Sequence, residues 1–297
     1  MFLEDILNYE GTVIRPPSEA DSLILQVTLG CTDNSCIFCP AYKDKKFKVK
    51  DFSKIEKDIK RSAKVLPETR RIFLADGDAI AMDQMEFIKI LDLLNENFPK
   101  LSRVAVYGSI KSLENKPIKD LIELENRKLG IIYLGFETGD DEVYKMIKKY
   151  GSPQGNIDTC LKVKEAGIKT NVTVILGLGG KKYTKQHAVN TAKILNQARP
   201  DQIAALTLMI APGTPLHNML KRKEFEELDN FEFLEELEAL IGNMEDFKCL
   251  FFSNHASNYY PISARFPKDK KNILETLEKV IKKRDNRALK PEFGRGL

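Results

Sequence analysis

Three of the five cysteines stand within nine residues, in Leu29-Gly30-Cys31-Thr32-Asp33-Asn34-Ser35-Cys36-Ile37-Phe38-Cys39-Pro40. Three thiolates with no fourth close by are the right count for a [4Fe–4S] cluster with one iron left open. Such clusters are held by cysteine thiolates, usually four, so a missing fourth ligand leaves a place where something else binds. Phe38, directly before the last cysteine, would shield one side of the cluster from water. The Cys36-x2-Cys39 spacing also serves zinc, with Cys160, Cys249 or a histidine supplying the fourth ligand. A structural zinc loop would normally have a second ligand pair at regular spacing, and none stands in this chain.

Other residues of chemical interest recur along the chain. Asp76-Gly77-Asp78 sets two carboxylates around a small residue, and Ser109, Glu137, the Gly177-Leu178-Gly179-Gly180 run, Met209 and Asn254-His255-Ala256-Ser257-Asn258 follow. Each lies at or just beyond the end of a short apolar run of the kind that forms a buried strand. The runs are residues 23–28, 71–75, 104–107, 130–136, 172–176, 203–209 and 249–252. Between them, apolar residues at helical spacing predict helices over 52–66, with Ser53 as N-cap, and over 87–98, 118–126, 140–149, 157–166, 185–198, 231–244 and 268–284. Gly167 is a C-cap and Pro200 a stop.

Strands alternating with helices mean βαβ units and a parallel sheet. No Gly-x-Gly-x-x-Gly follows the first strand, which argues against a dinucleotide-binding fold. The expected fold is therefore α/β, a partial or open (β/α)6-7 TIM-like barrel with short N- and C-terminal extensions. Its expected divisions are a lead-in over 1–21, a core over 22–216 and a C-terminal extension over 217–297 that completes and caps the barrel. Active sites of such barrels lie at the C-terminal ends of the strands, where the polar and Gly-rich residues of this chain fall.

Composition narrows the class. With 297 residues the chain can bury a substantial core, and no run of about 18 apolar residues is present to span a membrane. Met1-Phe2-Leu3-Glu4-Asp5 is acidic, so no signal peptide is expected, and unpaired cysteine usage points to a reducing cytoplasm. The net charge of +4 gives little reason to expect a polyanionic partner. The basic runs at residues 43–50 and 282–284 read as solvated faces in preference to an RNA-binding stripe. No low-complexity segment divides the chain.

The cysteine loop resembles that of the radical S-adenosylmethionine (SAM) superfamily, whose usual spacing is Cys-x3-Cys-x2-Cys with an aromatic before the third cysteine. This chain has Cys31-x4-Cys36-x2-Cys39, one residue longer in the first gap. The resemblance extends over roughly residues 22–216. It implies that Cys31, Cys36 and Cys39 hold the cluster and that Asp76-Gly77-Asp78 meets the methionine amino group of SAM. Glu137, in Gly135-Phe136-Glu137-Thr138-Gly139-Asp140, would accept from the ribose hydroxyls. Thr173-x-Ile175-x-Gly177 and Met209 to Pro212 would line and read the adenine, with Ser109 at the same level. Each segment has an ordinary alternative: capping aspartates, a helix N-terminal acid, a core strand.

The implied chemistry is reductive cleavage of SAM to a 5′-deoxyadenosyl radical that abstracts hydrogen from a substrate. The resemblance implies two cofactors, the [4Fe–4S] cluster and S-adenosylmethionine, and a flavodoxin- or ferredoxin-type electron donor. His255, with Asn254 and Asn258, is the candidate substrate contact or proton donor; the alternative is a hydrogen-bonded turn that closes the barrel. Cys160 and Cys249 are isolated, which argues against auxiliary clusters. The core is most similar to the group containing oxygen-independent coproporphyrinogen oxidase, a similarity that does not carry over the porphyrin. A small-molecule substrate is expected first, RNA modification second, with no membrane partner. A non-redox protein with a structural zinc loop is the reading from another class.

Overall fold

Seven apolar runs separated by amphipathic segments fold as strands and helices in the expected order. The computed structural model describes residues 7–296; Met1–Ile6 and Leu297, the ends of the lead-in and of the C-terminal run, lie outside the described residues. In chain order the elements are β1 (Leu23–Gln26), β2 (Thr28–Leu29), β3 (Lys48–Val49), α1 (Phe52–Val65), β4 (Arg71–Ala75), α2 (Gln84–Asn97) and β5 (Arg103–Gly108). There follow α3 (Ile110–Leu113), α4 (Ile118–Glu125), β6 (Leu129–Glu137), α5 (Asp141–Met146), α6 (Pro153–Glu165), β7 (Lys169–Leu176) and α7 (Gly180–Ala198). The last are β8 (Gln202–Thr207), α8 (Pro215–Lys221), α9 (Asn230–Asn243), β9 (Cys249–Phe252), β10 (Ser263–Phe266) and α10 (Lys270–Lys283).

The main sheet has eight strands in sequence order, skipping only the β2–β3 pair, with β1 and β10 at its ends. This is the α/β architecture expected, with an eighth strand added. β10 pairs antiparallel with β9, Ser263 opposite Phe252. Its four residues alternate exposed and buried, a pattern too short to separate from a loop in the sequence. The run 23–28 is also interrupted: Val27 N–H still donates to Ala75 O, but Thr28 and Leu29 turn away to pair with β3. Asp51, not Ser53, precedes α1, and α7 starts five residues earlier than expected, because the Gly177 turn closes directly onto it.

Two compact units share these elements. Among the described residues the first comprises 7–34, Ala41–Leu134 and Leu161–Thr170, the second Ser35–Pro40, Gly135–Cys160 and 171–296. In the first, β1, β4, β5 and the start of β6 run parallel, Leu23 opposite Ile72 and Ile72 opposite Val104. One face of these strands gathers Phe73, Ala75, Ala105, Ile131 and Tyr133. Phe73 meets Tyr107 and Tyr133 edge-on, at centroid separations of 5.0 and 5.8 Å. The lead-in lies on that face: Val13 packs against it, Tyr9 donates to Ile24 O at 2.8 Å, and Ser18 meets the Tyr133 hydroxyl. Glu19, fully buried, accepts from Arg103 and from Tyr133.

In the second unit β7, β8 and β9 run parallel, Thr173 opposite Ala204 and Ala204 opposite Phe252. α7 packs on α9 and α9 on α10. Asp229 caps α9 in a reciprocal box with Glu232, satisfying N–H groups the first turn leaves unpaired.

Candidate active site at the strand ends

The first unit holds Cys31 and the loops after β4 and β5. Gly30 N–H donates to Asp76 Oδ2 at 3.2 Å, and Gly77 N–H returns to Gly30 O at 3.1 Å, so the β4 loop is stitched to the residue before Cys31. Gly77 is required by packing: a Cβ there would stand 2.7 Å from the Tyr42 ring and 3.0 Å from Cys31 Cβ. Asp78, also buried, accepts from the hydroxyls of Thr32, Ser109 and Ser112. Ser109 in turn caps α3. Lys111 Nζ donates to Thr32 O at 2.8 Å and Lys43 Nζ to Asn34 O at 2.6 Å, so ammonium groups rest on carbonyls of the cysteine loop.

Asp76 differs from Asp78 in one respect. Its Oδ2 takes Gly30 N–H and faces Lys45 Nζ at 3.5 Å, but Oδ1 is buried with no partner. Burial pushes this carboxyl above its ordinary value, while Tyr42, Lys45 and Gly30 pull it back. A buried carboxylate oxygen left open is costly unless something fills it, and an ammonium group is the matching partner.

The second unit holds Cys36 and Cys39. Cys36 is buried and Cys39 half-buried. Between them, Ile37 N–H donates to Ile147 O at 3.0 Å and Ile37 O accepts from Leu216 N–H at 3.1 Å, while Ser35 Oγ donates to Lys148 O at 2.6 Å. Phe38 is half-buried.

Glu137 ends β6 with φ 62°, a left-handed conformation that costs a non-glycine residue about 1–3 kcal/mol and clusters at functional sites. Its carboxylate folds back over Gly135, where a Cβ would collide with it, and pairs with Lys149 Nζ at 3.4 Å. Burial raises its pKa, opposed by Lys149. The next turn is equally close-packed: a Cβ on Gly139 would strike the α7 backbone at Asn190 and Thr191. Gly177, at φ 80°, lies against the Phe233 ring, and its N–H donates to Glu236 Oε1 at 2.6 Å. Glu236 also takes Thr184 and His187. Ile175 is half-buried and stands opposite Leu206 on β8; Met209, beyond the end of that strand, is half-buried too.

The run after β9 divides. Asn254 is exposed and donates to Ser263 Oγ at 3.0 Å. Asn258 is buried, its amide N–H groups spent on Ala205 O, Thr207 and Ser253, with Oδ1 unpartnered. His255 Nδ1 accepts from Ser257 N–H at 3.1 Å and meets its hydroxyl at 2.9 Å, which places the imidazole proton on Nε2. Burial, then Lys290, lowers its pKa, so the ring is neutral at pH 7.

Sequence reasoning missed several partners. Lys149 and Lys45 looked like ordinary surface lysines, and Glu236 lies inside a helix. Arg295 lies in a run without periodicity, yet its side chain is 2% exposed and donates to Leu208 O and Ser257 O at 3.0 and 2.7 Å. The ring of Tyr259 stacks on it at 4.0 Å.

Among the described residues no group of three histidine, cysteine or acidic side chains is gathered as a metal site. What fits a thiolate-ligated cluster is the donor type and count of the cysteine loop and, within the first unit, a glycine packed against Cys31 and an orphaned carboxylate oxygen on Asp76.

The family model described as "Radical SAM superfamily" matches residues 25–195. A biotin synthase of Alkalilimnicola ehrlichii is 31% identical over 110 residues, which are 36% of this chain and 31% of that protein. A biotin synthase of Xanthomonas euvesicatoria is 24% identical over 224 residues, 72% of this chain and 59% of its own length. The chain thus spans less than two thirds of either relative's length. The crystal structure of methylornithine synthase superposes with a TM-score of 0.54 at 16% identity, covering 75% of this chain and 63% of that one, a likeness of fold.

Proposed function

This chain belongs to the radical SAM superfamily, and from that premise we propose that it cleaves S-adenosylmethionine reductively and removes a hydrogen atom from a small-molecule substrate. Enzymes of the superfamily use a [4Fe–4S] cluster and S-adenosylmethionine, which supply the electron transfer and the radical chemistry when bound. Cys31, Cys36 and Cys39 are the cluster ligands in this reading. The observation that carries it is the unpartnered Oδ1 of Asp76, directly behind the Cys31 loop, where the cofactor's ammonium group would complete a buried carboxylate.

The other residues have roles that follow from their surroundings. Gly77 lets the β4 loop pack directly against Tyr42 and Cys31, while Asp78 and Ser109 hold the loop ends in register. Glu137, held by Lys149, offers its remaining oxygen to ribose hydroxyls. Ile175 and the Met209 segment supply apolar surface for the adenine, and Gly177 keeps that turn tight against Phe233. His255 Nε2–H is a hydrogen-bond donor toward substrate; Asn258 anchors its turn, and Asn254 lies at its exposed edge. A flavodoxin- or ferredoxin-type protein is the proposed electron donor and the cytoplasm the proposed location; among the described residues no helix is long and apolar enough to cross a membrane.

The test is anaerobic. Protein reconstituted with iron and sulfide is incubated with S-adenosylmethionine and dithionite, and 5′-deoxyadenosine is quantified. Slow production that disappears in Cys36→Ala is expected. A reconstituted protein inert toward S-adenosylmethionine overturns the proposal.

A further inference from the structure

We propose that Asp76 and Lys45 form a positioning pair that fixes the Cys31 loop and sets the reduction potential of the cluster that loop carries; this rests on the function proposed above. The first observation is convergence on one buried carboxylate. Two stretches distant from it in sequence meet Asp76: Gly30 through its N–H at 3.2 Å and Lys45 through Nζ at 3.5 Å. A third contact, Asp76 N–H to Thr28 Oγ1 at 3.0 Å, fixes the backbone of the same residue.

The second observation is that Lys45 is built in. Its side chain is 13% exposed, its Nζ donates to Thr12 O at 2.9 Å, and its stem lies under Gly11, where a Cβ would approach Cε to 2.8 Å. Asn34, on the cysteine loop, donates to the carbonyls of Tyr42 and Lys45. The Tyr42 ring lies beside Gly77, which packs against Cys31 Cβ. The pair is thereby coupled to the first cysteine through packed atoms on both sides of the loop.

Charge decides the consequence. When the cluster takes up one electron from its external donor, its net charge becomes more negative. Nearby fixed charges shift that equilibrium strongly where water is excluded, and net charge and hydrogen bonding are among the determinants of cluster potentials. With both partners present the pair is nearly neutral. Removing only the carboxylate charge leaves an uncompensated lysine and favours the reduced cluster. Removing only the lysine leaves an uncompensated carboxylate and favours the oxidised one. A residue acting only as loop scaffolding would not give shifts of opposite sign.

Wild type, Asp76→Asn and Lys45→Met are reconstituted anaerobically and titrated by EPR-monitored redox potentiometry without S-adenosylmethionine. Hydrogen exchange of residues 28–46 is measured on the same proteins before cluster loading. The expected result is a higher potential in Asp76→Asn, a lower one in Lys45→Met, and exchange about tenfold faster in both. Shifts of the same sign, no shift, or unchanged exchange overturns the inference while leaving the function intact. A wild type that takes up no cluster instead removes the functional reading on which it rests.

Discussion

The two compact units treat the faces of their strands differently. In the first, Phe73, Ala105 and Ile131 are sealed under the lead-in, and the polar groups there satisfy one another: Glu19 with Arg103 and Tyr133, Ser18 with Tyr133. In the second, Thr173 and Ile175 on β7, Ala204 and Leu206 on β8 and Leu250 and Phe252 on β9 remain half-buried, and they are cross-strand neighbours. One set of strands is closed by its own chain. The other keeps partly accessible apolar surface, the property a binding face requires. Substitutions should therefore cost stability on the sealed face of the first unit and ligand affinity on the β7–β9 face of the second.

The largest effect expected on stability is in the sealed face. Glu19→Gln leaves Arg103 without its buried partner and should destabilise by about 3 kcal/mol, read by urea unfolding. A loss below about 1 kcal/mol would break the comparison. Ile175→Ala should lower stability by only about 1 kcal/mol, because the side chain is half-buried, while weakening S-adenosylmethionine binding about tenfold by calorimetry on the loaded protein. Unfolding without a binding defect would assign β7 to the core instead.

Glu137 sharpens the comparison through pH. Burial raises its folded pKa above the ordinary glutamate value of 4.5. The unfolded chain then releases this proton first, so the group's contribution to stability is full below pH 4.5 and declines as pH rises toward the folded pKa. Stability of wild type relative to Glu137→Gln should fall through that window. A difference independent of pH would mean that Lys149 fully offsets the burial. The smallest effect on stability is expected at the half-buried turn after β9: His255→Gln should change it by less than about 0.5 kcal/mol and leave 5′-deoxyadenosine production in the absence of substrate unaltered.

Much of this architecture is written in local pattern. Seven of the eight sheet strands follow from apolar runs such as 71–75, buried from Ile72 to Ala75, and 172–176, in which Val172, Val174 and Leu176 are buried, because helices flank a parallel sheet. β10 and the β2–β3 pair escaped because two to four residues carry no period, and their pairing is decided by partners distant in sequence. At the site, the cysteines were legible from spacing and the strand-end residues from position. Lys45, Lys149 and Arg295 were not. Nothing in a lysine's neighbours along the chain marks which one tertiary packing will bring against a buried carboxylate, and Arg295 reaches Leu208 across 87 residues.

The central claim is that the Cys31–Cys39 loop holds a cluster with an iron open to S-adenosylmethionine. EPR spectroscopy of the anaerobically reconstituted, dithionite-reduced protein, with and without S-adenosylmethionine, tests it most directly. About four irons and four sulfides per chain, with a cluster signal that changes when S-adenosylmethionine is added, is the predicted result. A colourless protein holding zinc, with no signal, would contradict the account and make these cysteines a structural clip.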